Sequence, residues 1–443
     1  MCDYTTFFNE YTALMQNLEY LYDRYIKGKR ITTDSRTVRE GDVFIALKGE
    51  NFNGNLFALQ AIEAGASVAF IDDSTIQHER CIPVTDTLIF LQEIASYHRH
   101  RLGIPILGIT GTNGKTTTKE LCHAVLSVKY KTFATQGNFN NHIGVPLTLL
   151  SLDETTQFGI VEMGANHPGE IKTLCDIADP DYGIITNIGE AHLEGFGSYN
   201  TIIETKKQLY EHIQAKNGQL FVNDDDPLLV KLSEDIHRNT YGKNGNQAKG
   251  EIKQSIPFLV YSLKTLKGDL YIRTHLIGGY NFDNAMAASC VGLFFGISPL
   301  DIQKAIEGYQ PSNLRSQLVK TEKNTIILDA YNANPSSMKA ALTNFSEFRA
   351  DNKILILGEM RELGKASETA HKEIFEMTRN AGFTQIILIG NSFAHYGNNV
   401  NFIRHFQTTD DLIVWLQSQP IESACILIKG SRGNKLERIV EYL

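Results

Sequence analysis

No apolar run in this chain approaches the ~18 residues of a membrane-spanning helix, so no bilayer-embedded segment is expected. The six cysteines are scattered, with no C-x-x-C pair and no Cys/His cluster. That argues against a disulfide framework and against a structural zinc site. Excess positive charge is also missing. A formal net charge of −8 speaks against nucleic acid or a membrane surface as the main partner. The N-terminus carries Asp3, Glu10, Glu19 and Asp23 and lacks the basic start and apolar core of a signal peptide, so a cytoplasmic location is expected. There is no internal repeat and no low-complexity tract. What remains is a soluble globular composition, 42% hydrophobic and 21% charged over 443 residues. At about one domain per 150 residues, that length predicts two or three domains.

The hydrophobic pattern divides into three segments. The first opens with a helical stretch over 7–26 and continues with short strands at 43–47 and 67–71. From about residue 104, strands at 158–163, 182–188 and 219–222 alternate with helices at 168–178 and 201–214, which predicts a mostly parallel sheet covered on both faces. Polar, β-like sequence over 247–277 reads as a hairpin excursion, and helices at 281–295 and 299–309 close the segment. After a natural linker at 310–313, strands at 325–328, 353–357, 385–389 and 425–428 alternate with helices at 336–348, 368–379, 410–416 and 436–442. That is a second open, doubly wound sheet. The expected class is α/β in three domains: a small N-terminal domain over 1–103, a central nucleotide-binding domain over 104–312 and a Rossmann-like C-terminal domain over 313–443.

Residues 108–118, Gly-Ile-Thr-Gly-Thr-Asn-Gly-Lys-Thr-Thr-Thr, carry the strongest signal. A short apolar strand precedes them, and helical spacing follows over 116–130. Such a strand–loop–helix unit aims backbone N–H groups and a helix N-terminus at a polyphosphate. Lys115 would reach the β- and γ-phosphates, and the Thr116 hydroxyl would sit on Mg²⁺. Counting back from Gly114, the first glycine of the usual G-x-x-x-x-G-K-[ST] pattern falls on Ile109. The pattern nevertheless predicts a nucleoside triphosphate ligand.

Other strand ends are rich in polar groups. Glu162 closes the strand at 158–163 and would either hold Mg²⁺ or be a surface carboxylate. Asn187, Glu190, His192 and Glu194 share the loop after the next strand, where a lone histidine is more often a hydrogen-bonded surface group than a ligand. Lys206, on the following helix, reads by itself as a solvated cation. The stretch 329–337, Asp-Ala-Tyr-Asn-Ala-Asn-Pro-Ser-Ser, gathers Asn332 and Asn334 at one strand edge, and Lys429-Gly430-Ser431-Arg432-Gly433 repeats that layout. Thr33-Asp34-Ser35-Arg36 would suit an anionic substrate.

Taken in order, these motifs resemble the Mur ligases, the ATP-dependent amide-forming family of peptidoglycan synthesis, over nearly the full chain. The resemblance rests on Thr-Asp-Ser-Arg (33–36), Gly-Thr-Asn-Gly-Lys-Thr-Thr (111–117), Glu-Met-Gly (162–164) and Asn-x-x-x-x-His (187–192). It continues with Asn-x-x-Asn (281–284), Arg315 and Lys-Gly-Ser (429–431). Ile109 is ordinary in that family. Within it, residues 329–338 and 357–364 resemble the branch that adds D-alanyl-D-alanine to the UDP-N-acetylmuramoyl tripeptide, and the Asp-Asn-Pro-Arg signature of the diaminopimelate- or lysine-adding branch is absent. Asn55, where a histidine is usual, and the sequence around Arg315 depart from the pattern.

The resemblance implies roles residue by residue. Gly111, Thr112, Asn113, Gly114, Lys115, Thr116 and Thr117 would hold the ATP phosphates. Thr116 and Glu162 would hold one Mg²⁺, and His192 with a carbamylated Lys206 a second. Asn281 and Asn284 would meet adenine, and Arg315 with Asp329 the ribose and phosphate side. The N-terminal domain, through Ser35 and Arg36, would take the UDP-sugar peptide, with Asn141 as a further substrate contact. Asn332, Asn334 and Ser431 would face the dipeptide. A monomer is expected, acting on small molecules. The rivals are the preceding ligase of the same family, a folylpolyglutamate synthase, and a non-catalytic nucleotide-binding partner. The last would be expected to lose Lys115, Glu162 or His192, and all three are present.

Overall fold

The computed structural model describes residues 18–312, 314–379, 381–396 and 402–443. The beginning of the expected 7–26 helix lies outside these residues, and its remainder is helical over 18–26. The chain forms two compact units. Among the described residues, one comprises 18–108, 131–163 and 172–181; the other comprises 109–130, 164–171 and those from 182 onward.

In the first unit, strands Ile31–Thr32, Val43–Ile45, Val68–Ile71 and Cys81–Pro83 lie side by side in that order, all parallel. The two central strands are buried throughout, which is why they read as unbroken apolar runs. The 16-residue helix Thr87–Leu102 was not expected. Its ends are well defined: the Asp86 side chain accepts from Leu88 N and Ile89 N, and Gly103 closes it at φ 61°. Buried His98 and Arg99 interrupt the apolar stripe that would have announced it. His98 bonds Tyr22 (2.8 Å) and the Leu152 carbonyl (2.9 Å). Arg99 donates to the carbonyls of Ala178 and Asp179, at the C-terminal end of helix Glu170–Ala178, where the last carbonyls of a helix need partners from outside it. Phe158–Glu162 is a fully buried strand and pairs in parallel with Thr132–Ala134, which the sequence did not signal.

The strand Ile106–Thr110 leads into the second unit. There Tyr182–Ile185, Gln219–Asn223, Arg238–Gly242 and Ala248–Gln254 run parallel. Val260–Thr265 and Gly268–Arg273 then add antiparallel. The expected hairpin excursion therefore extends the sheet instead of interrupting it. Helix Phe282–Phe294, with ten buried residues, covers this sheet.

The last sheet has the order Gln317–Lys320, Thr325–Asp329, Cys425–Lys429, Lys353–Gly358, Gln385–Ile389, Ile403–Phe406, antiparallel only at its first strand. Apolar cores fill both faces, as a doubly wound sheet requires. The segment 436–442, expected as α-helix, is 3-10 helix. The order brings the C-terminal ends of Thr325–Asp329, Cys425–Lys429 and Lys353–Gly358 together. Crevices at such reversals of strand order are where open α/β sheets bind ligands.

Candidate functional site

Between strand Ile106–Thr110 and helix Lys115–Leu126 the chain turns through Gly111 (φ 144°) and Gly114 (φ 80°). A Cβ on Gly111 would collide with Thr186 Oγ1, and one on Gly114 with Asn284 Oδ1. Backbone conformation and packing both demand glycine here. The loop is clamped from outside by residues 186–189. Thr186 Oγ1 donates to Asn113 O (2.6 Å), and Asn187 takes Asn113 on both sides, Nδ2 to O and Oδ1 from N, each at 3.0 Å. Thr112 N donates to Asn187 O, while Thr112 Oγ1 donates to Gly189 O and accepts from Gly189 N. Thr186, Thr112 and Asn187 thus hold the cradle's shape. Thr186 was missed, because a threonine at a strand end gives no signal of its own.

Asn281 and Asn284 form a buried chain beneath the cradle. Asn281 Nδ2 donates to Ile277 O, Asn284 Nδ2 to Asn281 Oδ1, and Thr118 Oγ1 to Asn284 Oδ1. Both amides thereby tie the phosphate-loop helix to helix Phe282–Phe294. Thr116 is buried and Thr117 half-buried in the first turn of that helix.

Lys115 Nζ donates to the carbonyls of Gly111 (2.7 Å) and Thr112 (3.1 Å). Lys206 Nζ reaches the same Gly111 carbonyl at 3.1 Å. Lys206 is buried at 4% exposure on helix Tyr199–Ala215, so its reading as a solvated cation is corrected. Burial holds its amine well below the ordinary lysine range, and the Lys115 charge pushes the same way. His192 belongs to this cluster. Burial lowers its imidazole from the usual value against the raising effect of Glu362, and Lys115 and Lys206 add to the lowering. His192 Nδ1 pairs with the Glu362 carboxylate. Both residues have left-handed backbones, φ 52° and 63°, conformations that cost energy away from glycine. Glu362 was not among the expected site residues, although it lies within the 357–364 motif.

Two lysines around one carbonyl, with an imidazole close by, suit phosphate oxygens. They fit Mg²⁺ only if Lys206 carries an added carboxylate, since that ion wants hard oxygen donors. Within the first unit, Glu162 supplies such an oxygen. It is 1% exposed, and Asn140 Nδ2 donates to its Oε1 at 2.8 Å.

Three strand ends build the other side. Asp329 pairs with Lys429 at 2.6 Å, and both side chains are largely buried. Arg315 lies over the Tyr331 ring (4.0 Å), with Arg432 on the same ring at 5.4 Å. Left-handed Leu314 (φ 55°) and Ser316 (φ 49°) flank Arg315. Ser431 Oγ accepts from Arg361 N. Asn332 is exposed, its Oδ1 accepting from Ala333 N. Asn334 caps helix Pro335–Ser346 by accepting from Ser337 N, and its Nδ2 donates to Asn113 Oδ1 at 2.9 Å.

In the first unit, Ser35 and Arg36 occupy a 3-10 turn, where Arg36 forks onto Asp34 at 2.7 and 2.8 Å. That contact holds the Asp34 carboxyl down to about 2. Asn141 Oδ1 accepts from Ile143 N and Gly144 N, shaping the turn into helix Gly144–Leu149. Asn55 is explained by its partner. Its amide donates to Asp72 Oδ1 (2.6 Å) and accepts from Asp72 N (3.0 Å) inside the first unit.

Three regions of the chain match known family models. Residues 28–109 match the Mur ligase family catalytic domain, 109–292 the Mur ligase middle domain, and 314–432 the Mur ligase glutamate ligase domain. The UDP-N-acetylmuramoyl-tripeptide--D-alanyl-D-alanine ligase of Bacillus subtilis is 37% identical, over 93% of this chain and 92% of its own. Among solved structures, MurF from Acinetobacter baumannii superposes with a TM-score of 0.84 at 32% identity, covering 93% of this chain and 92% of that one. MurF ligase from Thermotoga maritima in complex with ADP superposes at 0.82 and 27% identity, covering 94% and 96%. With three family models matched in order along the chain and a relative 37% identical over 93% of it, this chain belongs to the Mur ligase family.

Proposed function

We infer that this chain is an ATP-dependent ligase that joins D-alanyl-D-alanine to UDP-N-acetylmuramoyl tripeptide. The likeness to the tripeptide–D-alanyl-D-alanine ligases over more than nine-tenths of the chain carries this reading. The clustering of Lys115, Lys206 and His192 supports it. A carboxylate is a poor acyl donor, so one of its oxygens first attacks the γ-phosphorus of ATP and expels ADP. The amine of the dipeptide then attacks the acyl phosphate carbon. The tetrahedral intermediate expels inorganic phosphate, the nitrogen loses a proton, and the amide remains.

The protein's part is positioning and charge neutralisation. Residues 111–117 hold the phosphates, with Lys115 on the transferred group. Asn281 and Asn284 orient the adenine side, and Arg315 and Asp329 the ribose and phosphate side. Ser35, Arg36 and Asn141 contact the UDP-linked peptide, and Asn332 and Ser431 the dipeptide side. Thr116, Glu162, His192 and a carbamylated Lys206 are the candidates to hold Mg²⁺, which supplies neutralising charge on the phosphate oxygens. We assign the reaction to the cytoplasm, the compartment of ATP and UDP-linked precursors. No helix among the described residues is long and apolar enough to cross a membrane.

The test is phosphate release from ATP with the UDP-tripeptide and candidate amines. Release that requires both the tripeptide and D-alanyl-D-alanine is expected. Release with the UDP-dipeptide and diaminopimelate or lysine instead would make this chain the preceding ligase.

A further inference from the structure

Asn113 links the phosphate loop to the loop after Asp329 through a closed ring of hydrogen bonds. Asn113 Nδ2 donates to Ser336 Oγ (2.8 Å), Ser336 Oγ to Asn334 Oδ1 (2.9 Å), and Asn334 Nδ2 back to Asn113 Oδ1 (2.9 Å). The direction of the ring is fixed from outside. Ser337 N–H can only donate, and it donates to Asn334 Oδ1 at 2.9 Å, so the other amide end must be the donor toward Asn113. Asn113 cannot swing away easily, since Thr186 and Asn187 hold its backbone N and O.

We propose that Asn334 and Ser336 are positioning residues that act through Asn113. They set the phosphate loop at the distance from the amine-side loops that the second chemical step needs. This deepens the reading under Proposed function and rests on it, but it reassigns Asn334 from contacting the dipeptide to holding the nucleotide loop. Any displacement of the turn at 334–336 passes directly into the loop, because the ring joins rigidly held groups at both ends. Misplacement of that kind lowers the rate of the bound complex and leaves the affinity for each substrate alone.

The variants are Asn334→Ser and Ser336→Ala. Serine is also a good helix N-cap, so the first keeps the cap while being too short to reach Asn113. Each should lower kcat about tenfold, with KM for D-alanyl-D-alanine and the dissociation constant for ATP within about twofold. The double variant should be no slower than either single one, because all three groups form one ring. Amide hydrogen exchange at 111–114 should rise in Asn334→Ser protein without substrates. A rise in KM for the dipeptide at unchanged kcat would overturn the proposal and restore a direct contact. Unchanged exchange at 111–114 would overturn it as well, as would losses that merely track a fall in Tm. Wild-type protein that fails to join the dipeptide to the tripeptide defeats the proposed function instead, and the exchange measurement still decides the ring.

Discussion

Around the phosphate loop, Thr112, Thr186 and Asn187 hold backbone groups through neutral hydrogen bonds, whereas the loops after Asp329 and Lys429 are tied by a buried ion pair and by guanidiniums on the Tyr331 ring. The difference separates shape from charge on one side and merges them on the other. Lys115 donates to two of the loop's carbonyls, but residues 186–189 grip the cradle from outside and should keep its form without that lysine. Lys115→Ala should therefore lose at least about a thousandfold in ligation while its Tm stays near that of the wild type. Near-normal turnover with unchanged ATP affinity would remove the phosphate role. A large fall in Tm would show that charge and shape are merged here too.

The amine side should respond in the opposite way. Lys429 is 2% exposed and Asp329 is its close partner. Removing one member strands the other charge, at a cost of about 3–5 kcal/mol in stability. Lys429→Met should show that loss in denaturant unfolding, and adding Asp329→Leu should recover much of it. A loss below about 1 kcal/mol would mean that the pair is solvated and that the two regions do not differ as described.

Lys206 tests where charge enters the cradle. Its amine is buried against Gly111 O and beside Lys115, an environment hostile to an ammonium ion. Carbamylation would convert it into an oxygen donor of the kind Mg²⁺ needs. Lys206→Ala is expected to lose about a hundredfold in activity. Intact mass at alkaline pH with bicarbonate should show an added carboxylate on wild-type protein and none on the variant. A plain lysine in the active, Mg²⁺-bound enzyme would sink the idea.

The phosphate loop was legible because its function needs a contiguous run, with glycines, lysine and threonine fixed by local backbone geometry. So were Phe158–Glu162 and Gln385–Ile389, whose burial on both faces forces continuous apolar sequence. The helix Thr87–Leu102 was hidden because His98 and Arg99 spend buried positions on polar bonds. Strands Arg238–Gly242 and Ile403–Phe406 were hidden by their polar residues. The partners were the least legible part of the site. Glu362 lies 170 positions beyond His192 and Ser336 lies 223 beyond Asn113, and only the folded chain brings such pairs together. Asn334 appeared as an amide at a strand edge, but nothing local distinguished a substrate contact from a tie to Asn113.

Asn332 and Asn334 are two residues apart, and they give the finest test of the comparison. Asn334 is buried with both ends of its amide engaged, whereas Asn332 is exposed and, among the described residues, its side-chain amide bonds through Oδ1 alone, to Ala333 N. An exposed amide beside Tyr331, at the strand end where three loops meet, suits the extra peptide group that a dipeptide presents over a single amino acid. A site that hydrogen-bonds that group rejects a ligand lacking it, because its own polar groups are then left unpaired. Asn332→Ala should raise KM for D-alanyl-D-alanine and leave KM for ATP almost unchanged, at a cost of about 1–3 kcal/mol in transition-state binding. Set beside the kcat effect expected for Asn334→Ser, this splits neighbouring amides into one that touches substrate and one that holds the loop. Competition at equal concentration among D-alanyl-D-alanine, L-lysine and diaminopimelate, with UDP-linked dipeptide and tripeptide both offered, supplies the control. If lysine or diaminopimelate joins the dipeptide faster than D-alanyl-D-alanine joins the tripeptide, Asn332 reads a different amine and the specificity assigned to this edge is wrong.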